Sequence, residues 1–230
     1  MIPVFVGYDP RESVAYHAFC QSILARSSEP VSFSPLALNT LKLDYKEKHE
    51  DGSNQFIYSR FLVPHLQNYQ GWAIFADGDM VCLDDIAKLW AMRDDKYAVM
   101  VVKHDYKTRH PVKYLGAKNE DYPRKNWSSL ILWNCKHHKN RILRPYMVQT
   151  ASGVFLHRFS WLDDEDIGEI PKEWNWLADE YEHQDGVSLV HYTIGGPYFT
   201  EFMNCDYADE WRNAYADVIH CEQRECKSHS

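Results

Sequence analysis

The stretch GWAIFADGDMVCLDDIAKLW, residues 71–90, contains the pattern that decides the fold. Its apolar run WAIFA predicts a buried strand, and Asp77, Gly78 and Asp79 follow directly at the carboxyl end of that strand. Asp84 or Asp85 can then cap a helix. A strand, an acidic turn and a helix in this order are typical of a unit of an α/β protein.

Strand and helix patterns alternate through the first half of the chain and become sparser afterwards. We predict a helix from Asp9 to about Ser27, because Asp9, Pro10 and Glu12 give an N-cap, a first-turn proline and a capping-box acid. A second helix is predicted over 56–66, and an amphipathic one over 207–223. Further strands are predicted at 4–7, 31–38, 97–103, 129–134 and 187–193. The expected fold class is therefore an α/β sandwich.

Composition limits the possible partners and the domain number. The chain has 230 residues and is 45% hydrophobic, which suits one domain with a continuous core. Its net charge of −8, without a long basic run, argues against a nucleic-acid partner. No stretch reaches the roughly 18 apolar residues that a membrane span needs. The six cysteines form no CxxC pair, so we expect free thiols and a cytoplasmic location.

The acidic turn predicts a divalent cation. Asp77 and Asp79 lie one residue apart, so their like charges repel, and Gly78 between them permits a tight turn. Carboxylate oxygens are ligands that suit Mg²⁺ or Mn²⁺. The ordinary alternative is a solvated turn before a helix, but the buried run in front of the turn favours a site at the sheet edge.

Two other acidic motifs fit the sequence less well. A calcium-binding EF-hand loop starting at Asp77 requires glycine at its sixth position and glutamate at its twelfth, where this chain has Cys82 and Lys88. A phosphatase of the haloacid dehalogenase type also places Asp-x-Asp after a strand. Its motif usually opens the domain and continues Gly-Thr, whereas Met80 and Val81 follow here.

Five blocks in this order resemble the glycogenin-like family 8 glycosyltransferases and the short bacterial and viral GT-A enzymes related to them. The blocks are YSRFLVP (58–64), residues 71–90, NWSSLILWNC (126–135), LDDEDIGEIPKEWN (162–175) and LVHYTIGGPYF (189–199). The resemblance implies a GT-A, Rossmann-like α/β/α sandwich with a mixed, mostly parallel central sheet. It implies one domain over 1–230, with a nucleotide-binding half at 1–103, an acceptor and sugar half at 104–205, and a C-terminal helix and tail at 206–230.

The resemblance also implies site residues. Asp77 and Asp79 match the metal-binding Asp-X-Asp, and His191 matches the late histidine that completes the metal site. Arg60, in SRF, matches an arginine beside the donor diphosphate. A phosphate-binding lysine of the family falls where Gly195 or Gly196 stands, so that contact would come from backbone amides, Arg60 or another cation.

Further positions carry expected roles in donor and sugar binding. VGYD resembles the end of the first strand, where the nucleobase and ribose are held. DED resembles Asp-Gln-Asp near the transferred sugar, with Glu165 in place of glutamine. The expected donor-binding positions are Gly7, Tyr8, Asp9, Arg60, Asp77, Gly78 and Gly196, and the expected catalytic carboxylates are Asp164 and Glu165.

Four more residues are candidates for sugar or acceptor contact. Lys103 and His104 end a predicted strand at the same sheet edge, and Asn126 with Trp127 begins another block. Each has an ordinary alternative: a solvated strand end for the first pair and a core position for Trp127. His191 has the alternative of a structural histidine, which its pairing with Asp-X-Asp disfavours. Arg60 has the alternative of a surface helix charge, which its helix position alone leaves open.

The predicted function is a metal-dependent glycosyltransferase that moves a sugar from a nucleotide-sugar donor, UDP-linked, to a saccharide acceptor with retention. Mn²⁺ or Mg²⁺ is the expected cofactor. A metal-dependent phosphohydrolase with Asp77 as nucleophile and Asp79 as general acid is one alternative. A non-catalytic module that binds a nucleotide or sugar is another.

Overall fold

Within residues 1–50 and 54–220, which the computed structural model describes, nine strands form two sheets. The strands are β1 Ile2–Gly7, β2 Val31–Leu36, β3 Trp72–Ala76, β4 Met80–Cys82, β5 Val99–Val101, β6 Leu130–Asn134, β7 Ile167–Glu169, β8 Trp176–Leu177 and β9 Leu189–His191. The α-helices of the same residues are α1 Ser13–Leu24, α2 Val63–Leu66, α3 Ile86–Ala91, α4 Pro145–Thr150, α5 Gly153–His157 and α6 Ala208–Ile219.

The larger sheet has six strands in the order β2-β1-β3-β6-β5-β7. Five of them run in one direction and β6 runs against its two neighbours. This confirms the mixed, mostly parallel sheet. Pro35 lies in β2, an edge strand of this sheet, where a missing N–H costs least.

Both faces of the central sheet are covered, which explains why its inner strands are apolar throughout. Along β3, Phe75 belongs to one core cluster and Ile74 to the other, as the alternation of side chains in a strand requires. The cluster around Ile74 contains Phe19 of α1. The cluster around Phe75 contains Val148 of α4, so the fold is an α/β/α sandwich.

A small second sheet, with the order β4-β9-β8, was not expected from the sequence. β4 pairs antiparallel with β9, so that Met80 lies opposite His191. The backbone N–H of Tyr192 continues this ladder by donating to the carbonyl of Asp79 at 2.9 Å. This pairing brings a histidine from the late part of the chain beside the acidic turn.

Several predicted elements are present with different bounds. The strands predicted at 97–103 and 187–193 contain only β5 and β9, three residues each. The helix predicted over 56–66 is a 3₁₀ turn, Ser59–Leu62, followed by α2. Pro64 accounts for the break, because its ring suits the first turn of a helix and prevents continuation from the preceding turn.

The C-terminal helix is confirmed as α6, which packs on the body of the domain. Trp211 and Ala214 share a core cluster with Ala18 of α1. The predicted end of this helix at 223 and the tail to 230 lie outside the described residues. The division of the chain into two functional halves stays a prediction.

Two expectations from composition are met within the described part of the chain. Cys20, Cys82, Cys135 and Cys205 are free thiols. None of the helices there is both long and apolar enough to span a bilayer.

Candidate active site

The acidic turn lies where β3 meets β1 and β6. The backbone N–H of Asp77 donates to the carbonyl of Ser129 at 2.9 Å, which fixes the start of the turn. A Cβ atom at Gly78 would overlap the carbonyl oxygen of Gly7, at the end of β1. Glycine is therefore required here for the close approach of two backbones.

The three predicted metal ligands come together at this turn. Ligand atoms of Asp77, Asp79 and His191 lie within 4.8 Å of one another, and all three residues are buried. His191 Nε2 is 3.4 Å from Asp79 Oδ1 and 3.9 Å from Asp77 Oδ2. This set of ligand types, two carboxylates and one imidazole, is one that a divalent cation can use.

Hydrogen bonding at the cluster also fits a cation. The Oδ1 atoms of Asp77 and Asp79 are buried and accept no aligned hydrogen bond from residues 1–50 or 54–220. His191 Nδ1 lies 3.2 Å from Asn175 Oδ1, an acceptor that favours the proton on Nδ1 and leaves Nε2 with its lone pair. Ligand atoms of two carboxylates and one imidazole are thus close enough to share one cation.

Arg60 faces the same cluster and is not a surface charge. It is 4% exposed, and its Nη1 lies 2.7 Å from Asp77 Oδ1. The same nitrogen donates to the carbonyl of Ser128 at 2.9 Å, and Nε donates to the carbonyl of Ile57 at 3.0 Å. These contacts hold the guanidinium at the cleft as an ion-pair partner of Asp77.

The two carboxylates have different proton affinities. Burial raises the pKa of Asp77 to about 6, although Arg60 opposes this shift. For Asp79, burial also favours the neutral form, but the attraction and hydrogen bond of His191, a backbone hydrogen bond and the attraction of Lys113 together lower the pKa. The charge of Asp77 is thus costly without an added cation, as expected for two acids in one buried site.

A cleft of about 180 Å³ opens above this cluster. Of the predicted site residues, it is lined by Arg60, Asp77, Asp79, Asn126 and His191. Sequence reasoning missed the other lining residues, which include Arg11, Lys113, Tyr114, Tyr122, His157 and Thr193.

The predicted nucleotide-binding segment lies beside the cleft without lining it. Tyr8 packs edge to face on Tyr16, with ring centroids 5.5 Å apart. Asp9 accepts hydrogen bonds from Arg11 at 2.9, 3.0 and 2.6 Å, so it orients a side chain that does line the cleft. Burial would raise the pKa of Asp9, but the bonds from Arg11 and Gln55 hold it below its usual value.

Lys103 and His104 line a separate small cavity with Glu169 and Lys172. His104 Nδ1 lies 2.7 Å from the Tyr181 hydroxyl, and burial lowers the pKa of this histidine to about 3, so the ring is neutral. Trp127 is partly buried against the core, and its Nε1 donates to the carbonyl of His104 at 3.0 Å. This arrangement fits the core alternative for Trp127.

Asn126 is the member of this group that reaches the cleft. Its Nδ2 donates to the Tyr106 hydroxyl at 2.8 Å and lies 3.4 Å from Thr193 Oγ1. The residue has a positive φ of 61°, a conformation that asparagine tolerates better than most residues.

Asp164 and Glu165, expected near the transferred sugar, do not line the cleft. The side chain of Asp164 is 85% exposed and pairs with Arg124. Both residues belong to a 3₁₀ turn before β7 that Asp163 and Asp166 close with a capping box. The acidic run thus forms a solvated turn start at the edge of the sheet, and its role in catalysis stays a prediction that this placement does not support.

The cleft residues that the sequence did not predict differ in how close they lie to a recognised motif. Thr193 lies two positions after His191, and Arg11 follows the predicted cap Asp9, so both were close to recognised motifs. Lys113, Tyr114 and Tyr122 lie in the long loop 104–126, which has no motif of its own. His157 is in a segment without any recognisable pattern, and we see no signal that could have identified it.

The sequence of the chain is similar to that of known glycosyltransferases. A sequence model of glycosyl transferase family 8 matches residues 14–142. The chain belongs to this family. Protein CDI from Arabidopsis thaliana is 48% identical over an alignment of 218 positions, which covers 91% of this chain and 84% of that protein. Membership identifies the chain as a transferase enzyme.

Solved structures show the same fold. The WbbM bifunctional glycosyltransferase superimposes with a TM-score of 0.65 at 15% identity, over 94% of this chain and 50% of WbbM. The galactosyltransferase LgtC, in a complex with donor and acceptor sugar analogues, gives a TM-score of 0.53 at 10% identity, over 96% of this chain and 98% of LgtC. The chain thus spans half the length of WbbM. These similarities show that this chain has the GT-A fold predicted from the sequence.

Proposed function

We propose that this protein transfers a hexose-like sugar from a UDP-sugar donor to a saccharide acceptor in a reaction that requires a divalent cation. The observation that carries the proposal is the convergence of Asp77, Asp79 and the free Nε2 of His191 beside Arg60 at the floor of one cleft. The complex of LgtC with donor and acceptor sugar analogues supports the assignment of two saccharide substrates.

The cation would be held by Asp77, Asp79 and His191. When bound, it would neutralise negative charge on the diphosphate leaving group. The mixed set of oxygen and nitrogen ligands favours Mn²⁺ over Ca²⁺, with Mg²⁺ as the other candidate.

The protein residues have distinct tasks in this proposal. Arg60 offsets the charge of Asp77 and lies within reach of the diphosphate. Asn175 fixes the histidine ring through Nδ1. Asn126 and His157 offer polar groups to sugar hydroxyls, since both line the cleft, and burial keeps His157 neutral by lowering its pKa to about 3. Among the described residues, His157 Nε2 has no hydrogen-bond partner.

The nucleoside would bind beyond the cleft, along the end of β1. Gly7 contacts the acidic turn directly, so Tyr8 and Asp9 follow at the edge of the phosphate site. The cleft of about 180 Å³ is smaller than the roughly 300 Å³ at the lower end of ligand pockets, which fits a nucleoside bound outside it.

Thermal unfolding with and without metal tests the proposal. In the presence of Mn²⁺, UDP at about 100 times its dissociation constant is expected to stabilise the folded protein by about 2.7 kcal/mol. This corresponds to a rise in Tm of about 5 to 10 °C for a chain of this size. The same UDP concentration in EDTA is expected to give less than a third of that shift. Equal shifts in Mn²⁺ and EDTA would contradict a metal-bridged donor site.

Turnover assays separate the alternatives. Release of UDP from a UDP-sugar, accelerated by a saccharide acceptor, supports a transferase. Steady hydrolysis of small phosphoesters without a nucleotide would indicate a phosphohydrolase, and UDP binding without turnover would indicate a binding module. Proton NMR of the first product determines whether the anomeric configuration is retained, as the resemblance to family 8 implies.

A further inference from the structure

The cleft requires more positive charge than its recognised residues supply. Asp77 and Asp79 balance the two charges of a divalent cation, so Arg60 adds one positive charge beside a donor diphosphate that carries two negative charges. Arg11, the other arginine at the cleft, is held by Asp9. A bound diphosphate therefore calls for a further cation in the cleft.

Lys113 is placed to be that cation. It lines the cleft and forms no ion pair with any carboxylate of residues 1–50 and 54–220. Its Nζ lies 3.4 Å from Thr193 Oγ1, a weak hydrogen bond that leaves other donors of the ammonium group free. Burial lowers the pKa of Lys113, although Asp79 and Asp77 draw it in the other direction.

The segment after His191 cannot supply this cation itself. A Cβ atom at Gly195 would overlap the Phe202 ring, and one at Gly196 would overlap the Tyr198 ring. A longer side chain at either position therefore requires the aromatic neighbour to move. The loop that carries Lys113 lies against this segment, since the backbone N–H of Tyr114 donates to the carbonyl of Ile194 at 2.8 Å.

A buried network fixes the base of this loop. Glu180, which is 2% exposed, accepts hydrogen bonds from Thr108 Oγ1 at 2.5 Å, the Arg109 N–H at 2.8 Å and Asn119 Nδ2 at 3.1 Å. Lys125 Nζ donates to Asn119 Oδ1 at 2.6 Å. Both ends of the turn that carries Lys113 are thus anchored to the same carboxylate.

We propose that Lys113 binds the diphosphate of the nucleotide-sugar donor, so that loop 104–126 contributes a cation to the phosphate site. The inference rests on the proposed function. Through Lys113, the loop would donate a charge-assisted hydrogen bond to the departing diphosphate and so stabilise the leaving group.

Calorimetric titration of Lys113→Met tests this inference. We expect K113M to weaken binding of UDP in Mn²⁺ by about 10-fold to 100-fold, the range for a hydrogen bond to a charged group. Pyrophosphate in Mn²⁺ is expected to show a similar loss, because it contains the same charged groups without a nucleoside. The matched control is Lys118→Met, which replaces an exposed lysine of the same loop. We expect the affinity of K118M for both ligands to stay within about twofold of the wild-type affinity.

The outcomes separate this inference from the proposed function. If the wild type binds both ligands and the affinities of K113M are within twofold of the wild-type affinities, the proposed role of Lys113 is wrong and the proposed donor site is unaffected. If the wild type binds pyrophosphate but not UDP, the UDP donor is wrong, and the pyrophosphate series alone decides on Lys113. If the wild type binds neither ligand, both proposals are overturned.

A stability measurement controls for misfolding. K113M without ligand is expected to keep or raise Tm, because it removes a desolvated ammonium that has no ion-pair partner. Lys113→Gln keeps a donor for Thr193 without the charge, and we expect the same loss of affinity in K113Q as in K113M. Wild-type affinity in K113Q would overturn the inference, whatever K113M does to folding.

Discussion

Asp79→Asn is expected to lower the rate of UDP release from the best UDP-sugar donor by about 10³-fold and to abolish stabilisation by Mn²⁺. Asparagine keeps the size of the side chain and one oxygen, but it removes the charge that the cation requires. Within the described residues, Asp79 Oδ1 accepts no aligned hydrogen bond, and it lies 3.4 Å from His191 Nε2, so the substitution removes a negative charge from the ligand cluster.

Initial rates in Mn²⁺ and the Mn²⁺-dependent change in Tm measure the two effects of D79N. Asp209→Asn is the matched control, because that side chain is 87% exposed on α6 and pairs with Arg212. We expect D209N to retain at least half of the rate. A D79N enzyme with more than a tenth of the wild-type rate would show that Asp79 is not a metal ligand in the reaction.

Arg60→Met is expected to destabilise the protein by about 3 kcal/mol, because removal of one partner from a buried ion pair leaves an uncompensated charge. Arg60 and Asp77 lie 2.7 Å apart, and both are buried. The variant leaves Asp77 beside Asp79 without its guanidinium partner. We therefore also expect Mn²⁺ to stabilise R60M more than it stabilises the wild type.

Urea unfolding of R60M, Asp77→Asn and the double variant measures this pair in a double-mutant cycle. The double variant is expected to be more stable than the sum of the single effects predicts, by at least about 1 kcal/mol. Arg109→Met removes an exposed ion pair with Glu182 and serves as the control, with an expected change within about 0.5 kcal/mol. Additive effects of R60M and D77N would show that Arg60 does not offset the charge of Asp77.

Local sequence patterns were sufficient to predict the central layers of the fold. The run WAIFA and the acidic residues after it predicted β3 and the turn at its end, because burial on both faces makes a strand apolar throughout. The cap at Asp85 and the proline after Asp9 predicted where helices begin. These features depend on neighbours along the chain, and they are visible without knowledge of the fold.

The resemblance to family 8 added His191 and Arg60, which no local pattern could pair with the acidic turn. The structure brings both to that turn through contacts between distant segments. His191 arrives through the antiparallel pairing of β4 with β9, a sheet of very short strands that carry little periodicity. Arg60 lies in the 3₁₀ turn Ser59–Leu62, and its guanidinium is held at the cleft by the hydrogen bond that it donates to the carbonyl of Ser128.

The sequence by itself thus determined an α/β sandwich with an acidic turn at a sheet edge, because hydrophobic periodicity and capping act over a few residues. Tertiary structure alone decided that Lys113 lies at the cleft and that Asp164 lies outside it. A loop of more than twenty residues has no periodic pattern to reveal its path. Its position follows from the hydrogen bonds of Glu180 and Ile194, which join segments about seventy or more residues apart.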